Sequence, residues 1–99
     1  MSGRREAIGR ALDALAPRLP RHERTAVLDH ALDSPGLRKA APETAAWLSL
    51  VAYARHVFTD YDALLADGYD ADSARFFVLA ELNAVLADWG VRREVGGED

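Results

Sequence analysis

Between Arg55 and Arg75 the chain reads RHVFTDYDALLADGYDADSAR. Within it, Arg55, His56, Thr59, Asp60, Tyr61, Asp62 and Arg75 are residue types that hydrophobic patterning does not require. In an unbroken helix His56 and Asp60 stand one turn apart, so the carboxylate can hold an imidazole N–H. A bidentate Arg75–Asp62 pair, joined by the Tyr61 hydroxyl, would fix the angle between two helices. Two kinds of chemistry fit these residues. One is an internal polar clasp that sets helix packing. The other is a hydrolase or lyase in which His56 is acid or base and Asp60 or Asp62 orients it. The clasp is the favoured reading, because catalysis also needs a nucleophile or an oxyanion donor. The chain has no cysteine, no Gly-x-Ser-x-Gly, no Walker loop and no His-Glu-x-x-His. No residue is therefore assigned a catalytic role.

Metal chemistry fits less well. Asp60, Asp62, Asp67, Asp70 and Asp72 are dense enough for calcium, but they lack the ligand spacing and central glycine of an EF-hand loop. His22 and His30 are eight residues apart on different helical faces. No metal and no cofactor is expected.

The elements that must position this segment are helices. Ile8, Ala11, Leu12 and Leu15 recur at helical spacing before Pro17, with Ser2 or Gly3 as the cap. Pro20 suits the first position of a second helix carrying Val27, Leu28, Ala31 and Leu32, which Ser34-Pro35-Gly36 ends. A third helix opens at Pro42 and has apolar residues on a broad face through Phe58, which marks it as central. Thr59 to Asp62 resembles a capping box and starts a short helix, 60–66, that Gly68 closes. Asp70 or Asp72 caps a last helix whose stripe runs Phe76, Phe77, Leu79, Leu82, Leu86 and Trp89, with Gly90 as its stop. Phe76 and Phe77 cannot both face one side, so one is expected to meet a second surface. The fold class is all-α: a small bundle of four main helices plus one or two short helices. Residues 1–90 form a single helical domain, and 91–99 a flexible polar tail.

Charge divides along the chain. Residues 1–24 carry six arginines against three acids, whereas residues 55–99 carry four arginines against ten acids. Arg4, Arg5, Arg18, Arg21 and Arg24 are candidate anion contacts. A nucleic-acid partner is disfavoured by the net charge of −4 and by the lack of interleaved aromatics. Eleven of the twelve cationic residues are arginine, a bias of GC-rich bacterial genomes. No apolar run reaches the length of a membrane span, no signal-peptide pattern follows the basic N-terminus, and cysteine is absent. The expectation is a cytoplasmic protein with no membrane contact.

Positions 54–89, ARHVFTDYDALLADGYDADSARFFVLAELNAVLADW, resemble the DUF2293 family. The resemblance rests on the order and spacing of Arg55-His56, Thr59-Asp60-Tyr61-Asp62, Leu64-Leu65, Gly68, Ala74-Arg75 and Trp89. It implies a helical domain of unknown function with a shared polar cluster, and it implies no activity. The function expected is a small helical binding or assembly module. Its contact surface, for a protein partner or a second copy, would be built on the Arg55–Arg75 segment or on the basic N-terminal helices.

Overall fold

The computed structural model describes residues 3–96, so Ser2 as a cap and residues 97–99 of the tail lie outside the described residues. The described chain is all-α. Six helices follow one another: α1 (Gly3–Leu15), α2 (Arg21–Asp33), α3 (Pro42–Phe58), α4 (Tyr61–Ala66), α5 (Ala71–Phe77) and α6 (Leu79–Asp88). A single 3-10 turn, Pro35–Leu37, lies between α2 and α3. Proline sets two starts. Pro42 stands in the first turn of α3, where its missing N–H is no loss. Pro20 is the residue just before α2, one place ahead of the position expected for it.

α3 is the centre of the bundle, packed by α1, α2 and α6. Its buried residues, Ala45, Ala46, Trp47, Ser49, Leu50, Val51 and Ala54, surround most of the helix, which is why its sequence is apolar on a broad face. They join Ile8 and Leu12 of α1, Val27, Leu28 and Ala31 of α2, and Leu82 and Leu86 of α6 in the main core. Ser49 is fully buried there, and its hydroxyl has no hydrogen-bond partner among the described residues. A polar group so placed forfeits its hydration without return. Ser49→Ala should therefore raise stability by about 1 kcal/mol, seen as a higher urea midpoint at unchanged slope.

The last helix is not continuous. It breaks at Val78, whose φ of −99° and ψ of 5° end α5 and begin α6. The break lets α5 pack on α4 while α6 packs on α3. Tyr61, Ala74 and Val78 form a second small core, with Leu64 against it. Residues 61–78 are thus a hairpin of two short helices with an apolar centre of their own. Gly68 turns it with φ of +101°, and the Tyr69 N–H returns to the Leu64 carbonyl.

Asp70 caps α5 by accepting the Ser73 N–H at 2.8 Å. That bond holds its carboxyl below the ordinary value of 3.8. A carboxylate whose folded pKa is depressed adds stability above its unfolded pKa and loses it as pH falls through the folded one. The gap in melting temperature between wild type and Asp70→Ala should be full above about pH 5 and should close in acid.

The segment after α6 is docked, not frayed. Gly90 has φ of +90°, and an added Cβ would lie 2.9 Å from Pro17 Cγ. Beyond it Val91 and Val95 are buried in the main core. Within the stretch expected as a polar tail, Val91 and Val95 are buried while Arg92, Arg93 and Glu94 are exposed.

Candidate functional site

Thr59 joins α3 to the hairpin. Its hydroxyl donates to the Arg55 carbonyl and accepts the Tyr61 N–H at 3.2 Å. One side chain thereby closes α3 and opens α4. The helix ends at Phe58, and this displaces the expected His56–Asp60 pair. Asp60 lies off the helix, and His56 Nδ1 meets Asp62 Oδ1 instead, at 2.6 Å. With Asp62 ionised, Nδ1 carries the proton and donates it. Asp62 is engaged there, so the capping box and the bidentate Arg75–Asp62 pair do not form. Arg75 lies 4.0 Å from Asp72, three residues earlier on its own helix.

Tyr61 organises the group. Its side chain is 5% exposed. The His56 ring meets it edge-on at 5.2 Å, and the Arg55 guanidinium lies 5.7 Å above it. The polar residues around it are not sealed: the His56 and Asp62 side chains are 51% and 61% exposed. An oriented imidazole beside a carboxylate is suited to proton transfer. However, His56, Asp60, Asp62 and Arg75 line none of the five principal clefts. The Thr59 hydroxyl is committed to backbone. Among the described residues no three His, Asp or Glu side chains gather as a metal site.

Most of the N-terminal arginines hold partners within the chain while staying at its surface. Arg4 donates to the carbonyls of Ala40 at 2.9 Å and Leu37 at 2.7 Å. Arg18 donates to the carbonyls of Asp88 and Ala87 at the end of α6, where a cation also suits the helix dipole. Arg24 grips Asp13 with two bonds of 2.7 and 3.2 Å, and Arg5 pairs with Asp29 at 3.3 Å. Of the five candidate anion contacts, Arg21 is the one without such a bond to another described residue, and it lines two clefts.

Two surfaces stand out, one of them foreseen in part by the expectation that Phe76 or Phe77 would meet a second surface. Phe76 and Phe77, taken for the core stripe of the last helix, are 70% and 60% exposed. The break at Val78 gives Ala74 and Val78 to Tyr61 and leaves both phenylalanines outside. Their rings touch edge-on at 5.9 Å, and Phe77 meets the exposed Tyr69 at 5.5 Å. The second surface surrounds Trp47. Arg93 lies 4.1 Å over its indole, and clefts of about 380 and 570 Å³ open beside the pair. The alternation Val91, Arg93, Val95 was its only trace in the sequence.

Fold and site together define a small all-α module with a polar junction and an exposed aromatic hairpin. The chain belongs to the family described as uncharacterized conserved protein (DUF2293), whose model matches residues 11–90. No curated protein and no solved structure matches it. Among the described residues no helix is long and apolar enough to cross a membrane.

Proposed function

We propose that this chain is a protein-binding module whose contact surface is the α4–α5 hairpin. The observation that carries this reading is the aromatic face of Tyr69, Phe76 and Phe77, packed on one another and open to solvent. Contiguous exposed aromatic surface costs solubility, and soluble proteins keep it mainly where a partner covers it. The polar junction supports the surface from behind. Thr59, Tyr61 and the His56–Asp62 pair tie the hairpin to the end of α3, so the face is held in one orientation. Exposed Asp67, Asp70 and Asp72 near the aromatics favour a partner with a basic rim. Of the two surfaces open from sequence, the hairpin is preferred over the N-terminal arginines because most of those already hold internal partners.

The test is site-specific photo-crosslinking in the producing cell. A photoreactive phenylalanine at position 77 should yield one defined adduct, with another protein or a second copy. Phe76→Ser should reduce that adduct at least fivefold, and the same probe at exposed Thr25 should not form it. No adduct at 77, or the same adducts from both positions, would refute the reading.

A further inference from the structure

Asp60, Asp62, Asp67, Asp70 and Asp72 stand between Phe58 and Ser73 with no lysine or arginine among them. All five are exposed. Among the described residues only His56 and Arg75 answer them, at Asp62 and Asp72, so the segment keeps a negative surface. The same α4–α5 hairpin carries the open rings of Tyr69, Phe76 and Phe77. A carboxylate and an aromatic face are the two surfaces that a guanidinium fits best, the first by paired hydrogen bonds and the second by stacking. The partner of this hairpin should therefore present arginines around an apolar floor.

The chain carries such a surface itself. Three clefts, of about 380, 570 and 360 Å³, adjoin one another around Arg93. Arg55 lines the first, Arg10 the second and Arg92 the third, against a single carboxylate, that of Glu43. Arg10, Arg92 and Arg93 are exposed and form no ion pair with another described residue, unlike Arg5 and Arg24. The floor between them is apolar, made by Leu15, Trp47 and the half-exposed Leu48. Tyr69, Phe76 and Phe77 line none of these clefts, so the two patches do not satisfy each other within one copy. We infer that the arginine-lined clefts of one copy receive the acidic, aromatic hairpin of a second copy. This rests on the hairpin being the contact surface, and it specifies what covers it. Every copy then offers both halves of the contact, so copies join head to tail, into a closed ring or an open chain. Charge pairs at the rim make the contact sensitive to salt.

The experiment is analytical sedimentation of the full chain and of two surface variants, with helicity checked by circular dichroism. One variant, Phe76→Ser with Phe77→Ser, blunts the hairpin. The other, Arg10→Glu with Arg92→Glu, reverses the clefts and leaves the Trp47–Arg93 stack in place. The single substitutions Phe77→Ser and Arg92→Glu stand in for a double variant that is not helical. Wild type should form species larger than the monomer below about 1 mM, where weak contacts are already populated. Raising the salt from about 50 to 500 mM should weaken that association at least fivefold. Each variant alone should stay monomeric. Their equimolar mixture should give a dimer and nothing larger, because one sound hairpin and one sound set of clefts remain between them. The inference fails if wild type stays monomeric, or if the helical variants do not pair on mixing. It fails also if the cleft variant associates as wild type does, since hairpin would then meet hairpin. A monomeric wild type with a defined adduct at position 77 to another protein would sink this inference alone and leave the hairpin reading standing. A monomer with no adduct would end both.

Discussion

Replacing Tyr61 by alanine is expected to cost about 3–5 kcal/mol, the usual penalty for removing a buried aromatic. The loss should be local before it is global. Tyr61 does not belong to the core that unites α1, α2, α3 and α6; it centres the separate cluster with Ala74, Val78 and Leu64. Without the ring, the hairpin loses the apolar surface that joins α4 to α5. It also loses the rest on which His56 and Arg55 lean. Amide exchange in Tyr61→Ala should therefore quicken across residues 61–78 while protection in α1–α3 persists. Uniform loss of protection would show that the hairpin and the bundle are one cooperative unit. His56→Ala should cost no more than about 1 kcal/mol, because its partner Asp62 stays solvated once the imidazole is gone. The contrast places the strength of this junction in the tyrosine, not in the ion pair.

Trp47→Ala should be as damaging, again about 3–5 kcal/mol, and here the whole fold should feel it. Trp47 lies in the main core on the central helix, and it is also the platform for Arg93. The cation contact is worth only about 0.5–1 kcal/mol of this, so Arg93→Ala should be mild and Trp47→Phe intermediate. A domain of this size has roughly 5–15 kcal/mol in all, which leaves Trp47→Ala near the edge of folding. The measurement is a urea titration of the three variants beside wild type. Equal losses in Arg93→Ala and Trp47→Ala would mean that the docked segment, not the indole's burial, dominates at this position.

Local chemistry carried much of the fold in the sequence. Pro42, Gly68, Gly90 and Asp70 act through the backbone groups within one turn of them, so the element ends they mark could be read without knowing what packs where. The breadth of the apolar face on 42–58 likewise announced a central helix, since an all-round stripe has no other way to leave water. The Arg55–Arg75 segment could be picked out for the same reason in reverse, because its polar residues had no patterning role.

The pairings within that segment were a different matter. Whether His56 met Asp60 or Asp62 depended on α3 stopping at Phe58, and that stop was set by Thr59 reaching both back to Arg55 and on to Tyr61. Arg4 and Arg18 spend their charge on carbonyls more than thirty residues away in sequence, which no local pattern encodes. The same holds for Phe76 and Phe77. Only one of the two adjacent rings was expected on a second surface, and both are exposed because the chain breaks at Val78 between two cores. Sequence alone determined most of the helices and the segment where chemistry concentrates, but not the break at Val78. Tertiary structure decided which side chains meet and which faces stay open, because burial and charge pairing are settled between elements and not within them.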